Sequence, residues 1–232
     1  MIDKKTITAV IFVYNEQKYI DDCLRSLLNQ SVPVDKIIVV DDFSTDNTYS
    51  ILKRYNRVDL VRNVKKGMAY ACETGLKLVE TELFFICDGD DVIMNKYVEN
   101  MYKFIQSESI KYAYSNYIIT DEKLIPKGFL NKKKYYTKHE MLRKCYTAGY
   151  LFGYTEIIDY LIPFPNNLPF HDWYISIVLS QQFGLNYINN TPLFKYRRHK
   201  ESDSFNLDVN RQKYLSSLEK HLNTLKVIKD TL

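Results

Sequence analysis

The segment Ile7-Thr8-Ala9-Val10-Ile11-Phe12-Val13 is an almost continuous apolar run, and it decides the fold that we expect. A run this apolar is typical of a strand that is buried on both faces, as in a parallel sheet. The apolar residues that follow recur at the spacing of a helix. They are Tyr19, Ile20, Cys23, Leu24, Leu27 and Leu28. The chain therefore begins with a buried strand followed by an amphipathic helix.

The same alternation continues through the first half of the chain. Residues 36–40, 58–61 and 83–87 predict three further strands, and the third of the four strands leads into a helix over residues 68–79. Strand–helix units in series indicate a parallel sheet with right-handed crossovers. We therefore predict an α/β fold with a doubly wound, mostly parallel sheet.

The pattern becomes less regular after about residue 107. The predicted elements are a strand over residues 112–119, an irregular basic connection over 125–134, a helix over 172–183, and short strands over 185–188 and 193–196. Leucines at spacings of three and four predict a C-terminal amphipathic helix. We therefore predict one domain over residues 1–206, in two halves (1–107 and 108–206), followed by a helix over 207–232.

Composition and charge set limits on function. The chain has 232 residues, of which 46% are hydrophobic and 26% are charged, as in an ordinary globular domain. The formal net charge of +4 is too small to indicate a nucleic-acid partner. Because the first apolar run is too short for a signal peptide or a membrane span, we expect a cytoplasmic protein.

An acidic turn follows the fourth predicted strand. Asp88-Gly89-Asp90-Asp91 crowds three carboxylates where ligands bind in a doubly wound sheet, at the carboxyl ends of the strands. Crowded carboxylates repel each other, and a hard cation such as Mg²⁺ or Mn²⁺ relieves the repulsion. The alternative is an Asp-rich turn that caps the next helix. Taken alone, the turn does not decide between them.

A second acidic pair, Asp41-Asp42, ends the second predicted strand. One of these carboxylates could accept the ring N–H of a nucleobase, with Asn15 and Glu16 beside it at the end of the first strand. The alternative is that the pair organises the turn before Ser44.

Two further groups lie in the second half. Asp172, in His171-Asp172-Trp173, is a suitable N-cap for the predicted helix. The run Tyr196-Arg197-Arg198-His199-Lys200 could neutralise a phosphate leaving group, although such a run is usually a solvated face.

In this order, these segments resemble the family-two glycosyltransferases of GT-A fold, from about residue 6 to residue 205. Residues 8–16 are similar to the family's opening strand and its Tyr-Asn-Glu, and residues 39–48 to its second-strand signature, in which the second Asp binds the base. Residues 85–91 are similar to its metal-binding DxD strand. The resemblance implies a nucleotide-sugar-binding half over residues 1–107 and an acceptor half over 108–206.

The resemblance continues in the second half, with two departures. His171-Asp172 stands where the family carries an acid followed by the catalytic base, so His171 replaces the usual acid. Residues 194–199 are similar to its closing Tyr-Arg-x-His segment. Where many members have Ala-Arg-Asn-x-Gly, this chain has residues 71–75 without the Arg, and we expect Lys65 or Lys66 to replace that phosphate contact.

The resemblance implies inverting transfer of a sugar from a nucleotide-diphosphate sugar, with UDP favoured, to a hydroxyl of a glycan or lipid-linked glycan in cell-surface polysaccharide synthesis. It implies Asp172 as the catalytic base. It also implies Mn²⁺ or Mg²⁺ held by Asp90 and Asp91, with His199 as a further ligand. The implied nucleotide-binding residues are Phe12, Val13, Tyr14, Glu16, Asp42, Lys65, Lys66, Asp88, Gly89, Arg197 and Arg198.

The acceptor side is open to two interpretations. Residues 123–144 carry eight basic side chains, which with the C-terminal helix could contact an anionic inner membrane face that bears a lipid-linked acceptor. These basic residues are Lys123, Lys127, Lys132, Lys133, Lys134, Lys138, Arg143 and Lys144. The alternative is a solvated loop and a helix packed on the domain or on a second subunit, as in a homodimer.

Two other functions compete with sugar transfer. A sugar nucleotidyltransferase would usually carry a Gly-rich phosphate loop after the first strand, whereas Tyr14-Asn15-Glu16-Gln17-Lys18 contains no glycine. A non-catalytic nucleotide-sugar binder or assembly subunit would bind the donor without turnover.

Overall fold

A computed structural model describes residues 5–130 and 150–200, together with residues 223, 224 and 226. The strands are β1 (Ile7–Val13), β2 (Lys36–Asp41), β3 (Asp59–Arg62), β4 (Leu83–Asp88), β5 (Val92–Ile93), β6 (Tyr112–Thr120), β7 (Pro126–Leu130), β8 (Leu151–Tyr154) and β9 (Tyr187–Arg197). The helices are α1 (Ile20–Leu28), α2 (Thr48–Leu52), α3 (Met68–Leu76), α4 (Tyr97–Ser107) and α5 (His171–Phe183), with a 3₁₀ helix at Thr155–Tyr160.

These strands form one mixed sheet in the order β3-β2-β1-β4-β8-β6-β9-β5, and β7 pairs with β6. Strands β1 to β4 pair in parallel, β8 is antiparallel to both β4 and β6, and β9 is parallel to β6. Strands β1 to β4, β6 and β9 therefore run in one direction, which confirms the predicted α/β fold with a mostly parallel sheet.

The register brings the predicted acidic groups to one end of the sheet. Val13 of β1 lies opposite Asp41 of β2, and Phe12 lies opposite Asp88 of β4. The carboxyl ends of these three neighbouring strands therefore meet, as the sequence predicted.

The sheet separates two hydrophobic cores. Alternate residues of β1 point to opposite faces, so that Val13 lies in the core beneath α1 and α4, and Phe12 lies in the core beneath α3 and α5. Both residues are almost completely buried. The layers are therefore helix, sheet and helix, with the carboxyl ends of β1, β2 and β4 open between them.

The second half differs from the prediction in three places. The predicted irregular connection over residues 125–134 contains β7, which pairs with β6. The two predicted short strands form the single strand β9, because a register shift between Ser115 and Asn116 accommodates the intervening residues. The four-residue strand β8, which links β4 to β6, was not predicted.

The predicted C-terminal helix over residues 207–232 lies mostly outside the described residues. Residues 223, 224 and 226 are helical. Within the described parts of the chain, we find no helix with the length and apolar character needed to cross a membrane.

Gly153 allows β8 to fit between its neighbours. A Cβ at this position would lie 2.9 Å from the Ile157 Cδ1, 2.9 Å from the Lys111 carbonyl oxygen and 2.9 Å from the Tyr112 Cβ. Because two of these atoms belong to or adjoin the backbone, they cannot move aside as a flexible side chain would. Gly128 in β7 has more room, since its nearest neighbour would be the Ile119 Cδ1 at 4.0 Å.

We predict that Gly153→Ala destabilises the fold, whereas Gly128→Ala does not. Overpacking costs about 1–3 kcal/mol, and a domain of this size loses about 2–4 °C of melting temperature per kcal/mol. Thermal unfolding of both variants checks this, because both replace a strand glycine by alanine. Equal melting temperatures for the two variants would contradict the packing argument.

Candidate active site

Asp42 fastens the loop after β3 to the end of β1. Its backbone N–H donates to the Val13 carbonyl at 2.8 Å. Its carboxylate, on a residue that is 3% exposed, accepts from the Asn63 amide at 2.8 Å and from the Gly67 N–H at 2.9 Å. The Asp42 carboxylate therefore accepts from N–H groups of the protein, whereas the sequence predicts that it accepts from the N–H of a nucleobase. Its role toward a base stays a prediction.

The two lysines of the same loop lie on aromatic rings. The Lys65 Nζ donates to the Tyr70 hydroxyl at 2.5 Å, and the Lys66 Nζ lies 4.9 Å from the centre of the Tyr14 ring. The Lys65 ammonium lowers the pKa of Tyr70 by donating to its oxygen. Both lysines are exposed, which leaves their charge near the open end of the sheet.

Glu16, Asp90 and His199 converge on one point. One ligand atom from each residue lies within 4.8 Å of the others, and the His199 Nε2 lies 3.0 Å from an Asp90 carboxylate oxygen. The three residues come from the β1–α1 loop, the β4–β5 turn and the segment after β9. Two carboxylates and an imidazole form a donor set that fits a divalent cation such as Mn²⁺.

Asp88 shows the predicted crowding of carboxylates. Burial, which is the largest cause, and the charges of Asp90 and Asp172 together raise the pKa of Asp88 to about 8. Asp172 of α5 is therefore close enough to the β4 turn to interact with it electrostatically, although 84 positions separate it from Asp88 in sequence. The site joins the two halves of the chain.

Asp91 faces the interior, away from this cluster. It has no exposed surface, and its two carboxylate oxygens accept from the Tyr150 hydroxyl at 2.7 Å and from the Arg197 N–H at 2.6 Å. Burial raises the pKa of Asp91, and these two donors oppose that shift. Glu16, which the sequence assigned to the nucleotide, therefore joins Asp90 and His199 in the candidate cation site, whereas Asp91, which the sequence assigned to the metal, faces away from it.

Gly89 is required for close packing at the same turn. A Cβ on Gly89 would lie 2.5 Å from the Val13 Cγ1 and 3.5 Å from the Glu16 Cγ. The absence of a side chain lets the Asp90 turn approach the loop that carries Glu16. Its contact with a nucleotide stays a prediction.

The arginine that ends β9 and the arginine that follows it point in different directions. Arg197 is 3% exposed, and its guanidinium donates to the Asp22 carboxylate at 2.8 Å and to the Glu122 carbonyl at 3.0 Å. Arg198 is exposed, and its backbone N–H donates to the Thr120 carbonyl. The geometry therefore favours Arg198 over Arg197 for the predicted contact with a leaving group.

The prediction that Asp172 is an N-cap is wrong, because α5 begins at His171 and Phe170 is its N-cap. Asp172 lies in the first turn, where its carboxylate accepts from the Trp173 N–H at 2.8 Å. The His171 ring makes an edge contact with the Phe12 ring at 4.8 Å. Burial lowers the pKa of His171, and the Asp172 charge opposes this shift only in part.

Two contributors to the site were not predicted from the sequence. Tyr150 holds Asp91, and the Tyr19 ring lies 4.5 Å from the His199 ring. Tyrosine is so frequent in this chain, with 20 occurrences, that its presence at either position gave no signal. The position of Glu16 at a strand end did indicate a functional residue, but it was predicted to bind the nucleotide and not the metal.

We predict that His171 makes the stability of the protein decrease in mild acid. Because its folded pKa is lowered, the neutral form is favoured in the fold, and stability is lost as pH falls through the unfolded-state value of about 6.5. His171→Gln removes this titration. The melting temperature of the wild type relative to this variant should fall between pH 7.5 and 5.5, and a constant difference would contradict the prediction.

We predict opposite effects for two neighbouring acids. Asp91→Asn should lower the melting temperature by several degrees. An amide has one acceptor oxygen, so its NH₂ group either faces the Arg197 N–H or takes the place of the oxygen that accepts from the Tyr150 hydroxyl. Asp90→Asn should keep or raise it, because it removes a charge from a crowded cluster. Thermal unfolding in EDTA checks both, and a larger loss for Asp90→Asn would contradict the assignment.

Comparison with known sequences supports the resemblance. The profile of the family described as Glycosyl transferase family 2 matches residues 8–159, more than half of the chain. The chain is 32% identical over 121 residues to "Glycosyltransferase GlyG" of Streptococcus pneumoniae serotype 4, which covers 50% of this chain and 40% of that protein. It is 27% identical over 212 residues to "UDP-Glc:alpha-D-GlcNAc-diphosphoundecaprenol beta-1,3-glucosyltransferase WfgD" of Escherichia coli, which covers 88% of this chain and 82% of that protein.

Solved structures share the fold. S. aureus TarS in complex with UDP superposes with a TM-score of 0.68 at 17% identity, over 93% of this chain and 64% of that one. The mannosyltransferase PcManGT from Pyrobaculum calidifontis, in complex with GDP-Man and Mn²⁺, superposes with a TM-score of 0.67 at 18% identity, over 95% of this chain and 64% of that one. The fold is GT-A, as in these glycosyltransferases. With this fold, and with a family match over more than half of its length, the chain belongs to glycosyl transferase family 2.

Proposed function

We propose that the chain is an inverting, metal-dependent glycosyltransferase that moves a sugar from a UDP-sugar to a hydroxyl of a glycan or lipid-linked glycan in cell-surface polysaccharide synthesis. The observation that carries the proposal is the convergence of Glu16, Asp90 and His199 at the strand ends, with Asp172 next to His171, whose ring contacts Phe12 opposite Asp88. A cation site and a carboxylate base are the two components that such a transfer needs.

Asp172 acts as the general base. It accepts the proton of the acceptor hydroxyl while the hydroxyl oxygen bonds to the anomeric carbon of the donor. The bond from that carbon to the diphosphate oxygen breaks on the opposite side, and its electron pair leaves with the diphosphate. The Trp173 N–H fixes the orientation of the Asp172 carboxylate, and His171 beside it stays neutral.

The nucleotide-sugar lies across the ends of β1, β2 and β4. Asp42 accepts from the base, and the exposed Tyr14 lies beside it, while Phe12 and Val13, which were predicted to contact the nucleotide, are buried in the two cores and support the strand end from behind. Asp88 with Gly89 faces the ribose. Lys65, Lys66 and Arg198 bring positive charge to the diphosphate. Glu16, Asp90 and His199 would hold Mn²⁺ or Mg²⁺, which when bound would stabilise negative charge on the leaving diphosphate.

The name of one relative supports the proposed acceptor, and the basic segment supports the proposed location. WfgD is named for action on a diphosphoundecaprenol-linked sugar, which favours a lipid-linked acceptor for this chain too. Lys123 and Lys127 are exposed, although Lys127 pairs with Asp121 at 2.9 Å, and the rest of the basic segment over residues 131–144 lies outside the described residues. We propose peripheral contact with the inner membrane face through this segment, and a homodimer through the helix over residues 207–232.

Calorimetric titration with UDP tests the nucleotide and metal part of the proposal. We expect binding that depends on Mn²⁺ and that Asp90→Asn abolishes. Asp59→Asn is the matched control, since it removes an exposed carboxylate from the edge strand β3 and should bind as the wild type does. If UDP does not bind, then GDP, dTDP and CDP follow, and failure with all four contradicts an active glycosyltransferase.

Turnover tests the base. Asp172→Asn should keep metal-dependent UDP binding and lose at least about 10²-fold in transfer rate, since general base catalysis contributes about 10²–10⁴-fold. Transfer by this variant at the wild-type rate would contradict the assignment. UDP binding without transfer from any tested UDP-sugar would favour the non-catalytic binder.

A further inference from the structure

The three residues of the cation site come from separate segments, so something must hold those segments together. Glu16 lies in the loop before α1, Asp90 in the turn after β4, and His199 beyond the end of β9. A cation site needs its donors fixed to within a fraction of an ångström, and such fixing comes from the residues behind the ligands.

Two of the three connections are made by groups already described. Gly89 lets the Asp90 turn pack on the loop of Glu16. Asp91 accepts the backbone N–H of Arg197, which ties the same turn to the end of β9. The third connection joins the end of β9 to α1.

The Arg197 side chain makes that third connection. Its guanidinium donates to Asp22 in the first turn of α1 at 2.8 Å and lies 4.7 Å from the centre of the Tyr19 ring. It also donates to the Glu122 carbonyl at 3.0 Å, and the Tyr19 hydroxyl donates to the Glu122 carboxylate at 2.9 Å. The Asp22 side chain is 49% exposed, whereas that of Arg197 is 4% exposed.

Tyr19 lies against two of the three donors. Its ring contacts the His199 ring at 4.5 Å, and its backbone N–H donates to the Glu16 carbonyl at 3.0 Å. A displacement of Tyr19 would therefore move the His199 imidazole and the Glu16 loop relative to each other. His199 itself is only 4% exposed.

We infer that Arg197 and Tyr19, anchored by Asp22 and Glu122, are positioning residues that set the distance between Glu16 and His199 in the cation site. This inference rests on the metal site of the proposed function. It gives Arg197 a role through α1 in place of the predicted contact with the leaving group. Loss of groups that orient metal ligands typically weakens metal affinity by about 10–100-fold.

The chain supplies a matched pair of controls. Asp21 stands next to Asp22 in the first turn of α1, and it accepts from the Tyr55 hydroxyl at 2.7 Å. Asp21→Ala therefore removes an acid from the same helix turn, and Tyr55→Leu removes a tyrosine that contacts this turn from the segment after α2. In the described part of the chain, neither side chain forms a hydrogen bond or an ion pair with Arg197. Asp22→Ala and Tyr19→Leu are the test variants, and Tyr19→Phe keeps the ring.

The experiment is a titration of Mn²⁺ into the metal-free protein, with and without UDP, followed by electron paramagnetic resonance. We expect Asp22→Ala and Tyr19→Leu to raise the Mn²⁺ dissociation constant by about 10-fold or more. Asp21→Ala and Tyr55→Leu should stay within about twofold of the wild type, and Tyr19→Phe, which keeps the ring but loses the hydrogen bond to Glu122, should fall between these controls and Tyr19→Leu. Thermal unfolding in EDTA shows whether each variant is folded. If Tyr19→Leu does not fold, Asp22→Ala still provides the test, because the Asp22 side chain is half-exposed.

The outcomes separate this inference from the proposed function. Wild-type affinity for Mn²⁺ in folded Asp22→Ala and in Tyr19→Leu overturns the inference alone, as does an equal loss in the Asp21 and Asp22 variants. Weakened Mn²⁺ binding in the test variants, together with no sugar transfer by the wild type, supports the inference and contradicts the enzyme. A wild type that binds no Mn²⁺ overturns both.

Discussion

Asp91 is a carboxylate without exposed surface, and the arrangement of the site depends on its two hydrogen bonds. One oxygen accepts from the Tyr150 hydroxyl just before β8, and the other accepts from the Arg197 N–H at the end of β9. A buried carboxylate is costly unless donors compensate for the lost water. Because both donors come from the second half of the chain, the acidic turn of the first half forms only when the second half is in place.

This dependence explains how a cation site can be built from one acidic turn. Asp90 and Asp91 are adjacent in this turn, but their carboxylates have different partners. Asp91 turns inward to hold the fold, and Asp90 is left facing Glu16 and His199. Burial, together with the charges of Asp90 and Asp172, raises the pKa of Asp88 to about 8. The excess negative charge of this cluster is the property that a bound divalent cation would neutralise.

The two halves meet at the site through different physical contacts. In the first half, Asp42 uses hydrogen bonds to hold the loop of Lys65 and Lys66 against the sheet. In the second half, α5 brings Asp172 to the same end of the sheet by packing, with the His171 ring on Phe12. A neutral His171 adds no charge beside Asp172, whereas an acid there would add another carboxylate to a crowded region.

The sequence by itself determined the α/β fold, the first four strands, and the meeting of acidic groups at the strand ends, because these follow from local periodicity and from the geometry of parallel sheets. It did not determine β8 or the single strand β9, because their pairing partners lie far away in the chain. From their positions in motifs that resemble those of the family, Asp91 was predicted to bind the metal and Arg197 to bind the nucleotide. Only the tertiary structure decided that both face inward and that Glu16 faces His199, because the direction of a side chain depends on its neighbours in space.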